Sequence, residues 1–353
     1  MYGRLIIVAG LLTGGVARGQ TLGGNAAYQF VNLPNSPRLT ALGGVNVSSQ
    51  ANDVGLAFHN PALLSDRMHG QTNLVFTDFL AGIKVFHLSG GYFHEKLKTS
   101  FLGGITYLDY GTVPRTDPSG NVLGSFRPRD WVMQVGASRR YLEKWQYGAS
   151  LKFLHSGYGE YRSGALVMDV GVLFRDTARL FTASVLVRNL GFQLQQYPGA
   201  GPEDLPFDLQ AGVTKRLASA PVSFSLSAGR LHRFDLIYND TVFNNENGYP
   251  NSSSKRFSLD KLISHLVLGA TVYAGDHVEI NTGYNFLRRK DLALPNASSG
   301  LAGFSIGATV LLNRMQVSYA RASYQGGQGY NQFGLHLQLN EYFSNRPGVR
   351  SGW

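Results

Sequence analysis

The chain has 353 residues, with 15% charged, 12% aromatic, 43 glycines, no cysteine, a formal charge of +10 and a mean hydropathy of −0.10. This composition excludes disorder, which needs few aromatics and high charge, and collagen, because the glycines have no period of three. It also excludes disulfide staples, thiolate metal sites, cysteine nucleophiles and a cysteine-linked lipid anchor. No run of 18 apolar residues follows residue 19, which excludes a multispanning helical membrane protein. A Gly- and aromatic-rich, weakly charged chain near neutral hydropathy is what an outer-membrane β-barrel requires.

Residues 1–19 have the layout of a cleaved signal peptide. Arg4 is basic, Leu5 to Leu12 is apolar, and Ala17-Arg18-Gly19 fits a small-x-small cleavage site. The mature chain is therefore expected to be exported. Residues 20–70 are too polar and too broken by Pro and Gly to face lipid, yet too apolar to form a free tail. They are expected to fold into a lumen as an N-terminal plug.

From 71 to 343 one pattern recurs fourteen times: a run of about ten to fourteen residues rich in Val, Leu, Phe, Tyr and Gly, then a break. His265–Ala274 and Phe333–Leu339 show the period-two alternation of a strand with two different faces. Breaks alternate in length, with the long ones at 111–129, 191–206, 235–260 and 288–300. Tight turns at one end and long loops at the other predict an all-β, 14-stranded antiparallel transmembrane β-barrel. Twelve residues at roughly 3.3 Å each, tilted near 45°, cover about 28 Å, close to the apolar band of such barrels. Residues 344–353 form a short C-terminal tail.

The basic excess does not suggest nucleic acid. Charges in the four long loops cancel, whereas the short-turn rim carries net +6, spread thinly around a ring. That distribution fits attraction to anionic lipid headgroups in the outer membrane, and no nucleic-acid motif is present. The histidines lack metal-ligand spacing, so neither a metal, a cofactor nor an enzymatic activity is expected. Most of the charged strand residues Lys84, Asp109, Lys152, Asp169, Arg188, Asp208, Arg230, Glu279 and Arg321 are expected to point into the lumen and pair with each other or with the plug, since a lipid-facing charge at mid-depth costs about 2–4 kcal/mol.

Particular strings resemble known barrels. Asn60-Pro61-Ala62, after a Gly-Gly turn, resembles the N-terminal hatch of FadL-like fourteen-stranded barrels. Phe30–Gly44, Asn60–Leu64, Phe79–Ile83, Tyr107–Gly111 and Thr116–Asn121 together are similar to the PorQ family, related in fold to PorV-like barrels of the type IX secretion system of Bacteroidetes. The resemblance is strongest over 28–121. It implies a non-enzymatic outer-membrane component anchoring a PorZ-like surface protein, in an attachment complex with a PorU-like sortase and a PorV-like barrel. That complex links cargo to anionic lipopolysaccharide. The long loops are the natural grip, with Tyr238, Phe243, Tyr249, Phe257, Arg115 and Arg127 as candidate partner-binding residues. The alternative is a FadL-type outer-membrane transporter of hydrophobic small molecules. It predicts an apolar lumen pocket and a lateral gap, whereas the anchor predicts a lumen of paired charges.

Overall fold

The computed structural model describes residues 26–236, 258–291, 300–324 and 327–340. The expected signal peptide and C-terminal tail, and Tyr238, Phe243, Tyr249 and Phe257, lie outside them.

Fourteen strands close into one antiparallel barrel. In chain order they are β1 (Gln71–Asp78), β2 (Lys84–His94), β3 (Thr99–Asp109), β6 (Arg129–Tyr141), β7 (Trp145–Tyr158), β8 (Tyr161–Asp176) and β9 (Phe181–Gln195). Then follow β10 (Asp208–Arg216), β11 (Val222–Ala228), β12 (Leu266–Ala274), β13 (Val278–Asn285), β14 (Phe304–Leu311), β15 (Met315–Ser323) and β16 (Gly329–Gln338). The barrel closes where β1 pairs with β16, Gln71 opposite Gln338 and Asp78 opposite Asn331. Two further strands, β4 (Val113–Thr116) and β5 (Val122–Phe126), form a separate exposed hairpin inside the 111–129 loop.

Alternation along each strand sorts the two faces. On β7, Gln146, Gly148, Ser150, Lys152 and Leu154 are buried inside, while Trp145, Tyr147, Leu151 and Phe153 are exposed outside. Phe86, Leu88, Met133, Val185, Phe224, Ile306 and Phe333 continue the outer apolar surface around the wall. Apolar outside and polar inside is the arrangement of a transmembrane barrel, and inverts that of a soluble one. Among the described residues no helix is long and apolar enough to cross a membrane; the strands make the crossing.

The wall is uneven. Strands β6 to β9 have 13 to 16 residues, but β10 to β14 have only seven to nine. Eight tilted residues rise roughly 19 Å, short of the ~25 Å apolar band. Two helices sit at the loop end of this low side: α3 (Leu259–Ser264) and α4 (Phe286–Asp291). Ser258 caps α3 by accepting from the Asp260 N–H. Exposed Leu259, Leu262 and Ile263 of α3 extend the apolar surface where the strands stop short.

The lumen is filled. Residues 26–70 enter at the loop end, where Ala26 bridges to Asp204, and reach the turn end, where His69 O accepts from Gln338 Nε2. Two short helices lie on the way, α1 (Pro37–Ala41) and α2 (Val54–His59). Leu39, Val54, Leu56, Phe58, Leu63 and Met68 form a dry core with Leu102 and Leu173 of the wall.

Candidate functional site: the plugged lumen and its loop-end pocket

Local chemistry shapes the plug. Pro37 starts α1 with a ring that matches helical φ and lacks an N–H that would be orphaned there. Asp53 caps α2 by accepting from the Gly55 N–H at 2.8 Å. Asn60 repeats the device: its Oδ1 accepts from the Ala62 N–H at 3.0 Å, and Pro61 begins the next turn. The Asn60 amide donates to Val47 O at 2.7 Å and to Ser184 Oγ at 3.0 Å, which ties this turn to the plug's other arm and to β9.

Glycines of the wall let the plug backbone approach closely. A Cβ on Gly283 would collide with the Leu42–Gly43 peptide, one on Gly148 with Pro61, and one on Gly171 with the Asn60 amide. On Gly307 it would come within 2.8 Å of Ala41 Cβ, and on Gly91 within 2.6 Å of Met68 O. Much of the glycine excess thus forms a seat of missing side chains.

Buried charges lock the seat. Arg38 Nη2 meets Glu279 Oε2 of β13 at 2.5 Å, and Arg38 Nη1 meets Asp53 Oδ2 at 3.2 Å. The Ser36 hydroxyl donates to Asp53 Oδ2 at 2.8 Å. Burial alone would raise the Asp53 carboxyl; His336, Arg38, the Ser36 hydroxyl and the Gly55 N–H outweigh it and hold the carboxyl below its ordinary value. His59 Nε2–H donates to Gln210 Oε1 at 3.0 Å. Burial first, and then the nearby Arg188 charge, push its imidazole well below the ordinary value, so it stays neutral. In the wall, Lys152 Nζ lies 2.5 Å from Asp169 Oδ2 and donates to Asn189 Oδ1 at 3.0 Å.

Above the plug, on the loop side, a cavity of about 310 Å³ remains. Its apolar lining comes from Leu33 and Val45 of the plug, Val267 of β12 and Leu287 of α4. Arg188, Arg230, Arg288 and His265 line it too, with Asp208 as the one carboxylate among the described lining residues. Asp208 is committed, accepting from the Arg230 N–H and the Gln210 amide, each at 2.6 Å. Arg288 is also held, by Gly43 O at 3.0 Å, Ser305 Oγ at 2.9 Å and the Tyr324 ring 5.2 Å below its guanidinium. Arg188 donates to Val31 O at 3.3 Å, but its buried Nε has no partner among the described residues. The cavity therefore combines an apolar body with an unmet donor.

The expected site residues are distributed as follows. Asn60, Pro61 and Ala62 sit in the seat and do not line the cavity, although the adjoining His59 bonds Gln210, which does. Arg115 of β4 pairs with Glu160 at 3.1 Å, and Arg127 with Asp109 at 3.2 Å, both on the exposed loop end. Lys152, Asp169, Arg188 and Glu279 do face inward, and Asp208 and Arg230 line the cavity. Lys84, Asp109 and Arg321 do not. They share the outer face of their strands with Phe86, Tyr107 and Tyr319, because they lie at the strand ends, at headgroup depth, where exposure to water removes the burial cost.

Sequence reasoning missed His265, Leu287, Tyr324 and Tyr330 as cavity-lining residues, because they come from separate segments that only barrel closure brings together. It also passed over Gly303-Phe-Ser-Ile-Gly307, which spells a G-x-S-x-G string. Ser305 is in the first turnless residues of β14, buried, and accepts from Arg288, so the strand-to-helix elbow that makes such a serine nucleophilic is absent there. Among the described residues no group of three metal-ligating side chains converges.

No family model and no curated protein matches the chain. Solved structures do. The chain is similar to the CymD monoaromatic hydrocarbon channel, with TM-score 0.51 and 13% identity, over 88% of this chain and 97% of that one. It is similar to a deltaS2S3 mutant of the TodX monoaromatic hydrocarbon channel, with TM-score 0.50 and 11% identity, over 85% and 97%. The fold is FadL-like. At such identities the likeness concerns architecture alone: a closed 14-stranded barrel of outer-membrane type with its N-terminal segment inside.

Proposed function

We propose that this barrel is a FadL-type outer-membrane transporter of hydrophobic small molecules, with the loop-end cavity as its capture site. The observation that carries the reading is the cavity itself: about 310 Å³, part apolar, with the Arg188 Nε left without a partner among the described residues. A ligand with a hydrophobic body and one acceptor matches it. The cavity lies behind the low side of the wall, under α3 and α4, next to the apolar surface of the membrane face. The plug then acts as the gate between cavity and turn end. Monoaromatic hydrocarbons, named for the similar channels, are the first cargo class to try, followed by hydrophobic acids. Purified barrel titrated with each should bind at least one, and Leu287→Trp, which fills the cavity, should abolish that binding. Failure of every hydrophobic probe to bind would overturn the reading.

A second reading, a PorQ-type anchor for a PorZ-like surface protein, is favoured by the β4–β5 hairpin. It stands apart from the barrel sheet, with Val122 and Leu123 about two-thirds exposed at the loop end. Exposed apolar residues on a free hairpin suit a protein partner. In this reading the buried ion pairs serve a static filled lumen, and PorU-like and PorV-like proteins complete the complex. Removing residues 112–127, or the 235–260 loop, should release a co-purifying surface protein while the barrel remains in the membrane. Retention of the partner by both deletions would sink the anchor.

A further inference from the structure

Where the plug reaches the turn end of the lumen, three arginines come together. Arg140 and Arg175 stand near the turn-end limits of β6 and β8, at inward positions. They continue the buried rows that hold Gln134 and Ser138 on β6 and Asp169 and Leu173 on β8. The third, Arg67, belongs to the plug. Leu64 O accepts from the Gln146 amide of β7, the strand between β6 and β8, and this bond sets the next plug turn, Asp66–Met68, beside both wall arginines. Met68 is buried in the dry core, which leaves Asp66 and Arg67 on the open side of the turn. Arg140 and Arg67 are the cations that act most strongly on Arg175, and Asp66 is the carboxylate that does.

This group is not neutralised from within. Asp66 Oδ1 lies 3.7 Å from Arg140 Nη2, and both side chains are about half exposed, so the pair is weak. The buried Nε of Arg175 has no partner among the described residues. Three cations against one carboxylate leave the group at net +2. The flanking turns do not cancel it: residues 95–98, 141–144 and 176–180, with Arg139, add five Lys or Arg against three carboxylates. Deeper in the lumen the buried charges are matched, Arg38 by Asp53 and Glu279, and Lys152 by Asp169. The mouth group lacks that counter-charge, and it spans the boundary between plug and wall.

We propose that the turn-end mouth binds one dianionic phosphoryl group between Arg140 and Arg175 of the wall and Arg67 of the plug, and that the bound group latches the plug to the barrel. A phosphate monoester carries close to two charges at neutral pH and so balances the excess, where a single carboxylate balances half. The forked donors of arginine match phosphate oxygens two at a time. Without the anion the three guanidiniums repel one another and loosen this end of the plug. With it they share one counter-charge, and binding adds to plug seating by mass action. The phosphoryl group comes from a soluble phosphate or from a phosphatidate headgroup. The latch sits at the opposite end of the lumen from the loop-end cavity and does not depend on what that cavity holds.

The test follows hydrogen exchange of plug residues 62–70 in the full chain, in phosphate-free nanodiscs of phosphatidylcholine, as inorganic phosphate is added against acetate at equal ionic strength. Phosphate should slow exchange saturably, and acetate should not. Arg140→Gln or Arg175→Gln should raise the apparent phosphate dissociation constant roughly tenfold or more, and Asp66→Asn should lower it. Arg67→Gln changes an exposed plug side chain, should weaken binding likewise, and keeps the test open should a wall variant not fold. Arg139→Gln, next to Arg140 but on the outer face, should change nothing. A second set of discs containing phosphatidic acid separates the sources: slow exchange there before phosphate is added assigns the group to a headgroup, and slow exchange only after addition assigns it to a soluble phosphate. Exchange indifferent to both, an equal response to acetate, or a loss with Arg139→Gln as large as with Arg175→Gln would overturn the proposal.

Discussion

At the scale of single residues, Asn60 holds the most consequential position in the plug. One amide satisfies the Ala62 N–H, Val47 O and Ser184 Oγ in a site without water access. Asn60→Ala leaves buried groups unpaired and should destabilise plug seating by about 1–3 kcal/mol, read as faster hydrogen exchange of α1 and α2. Gly148→Leu attacks the same turn from the wall and should expose the plug to protease, because Pro61 has nowhere to move. Acid should unseat the plug in two stages. His59 is depressed below its ordinary value of 6.5, so the unseated form takes a proton first, and stability present above 6.5 is lost as pH falls below it. Asp53 is depressed below 3.8, so its contribution persists above 3.8 and is lost only as pH falls further. Hydrogen exchange of the plug against pH checks both; exchange unchanged between pH 8 and 5 contradicts the His59 account.

At the scale of elements, the barrel strands were legible because lipid on one side and a polar lumen on the other impose a period of two on every strand, as in His265–Ala274. The exceptions are physical. Leu262 and Ile263 look like strand residues but belong to α3, since an outward apolar side chain meets the same lipid from a helix as from a strand. The β4–β5 hairpin was hidden because five residues, Val122–Phe126, are too short to show a period and neither face is buried. The Asn60-Pro61-Ala62 string was legible through its resemblance to a barrel hatch alone; its local role, a cap followed by a helix-starting proline, comes from the structure. The cavity was not, because Leu33, Arg188, His265 and Tyr324 are linked by closure and not by spacing. For the hairpin, removal of 112–127 should leave the barrel's heat-modifiable mobility unchanged, because Val113 and Phe126 pair with each other and not with β3 or β6.

At the scale of the whole molecule, the barrel is sealed by its own N-terminal segment, and most of the inward wall is committed to that seal. A chain lacking residues 26–70 should therefore conduct ions in planar bilayers, whereas the intact protein should be nearly silent. The seal leaves the loop-end cavity as the described lumen volume open to a cargo, and the transporter reading depends on what occupies it. The most direct measurement is mass spectrometry of barrel purified from its own outer membrane in mild detergent, comparing wild type with Leu287→Trp. The transporter account predicts a small hydrophobic molecule bound to the wild type and missing from the variant. A barrel that arrives without small ligand but with a stoichiometric surface protein would contradict it and establish the anchor instead.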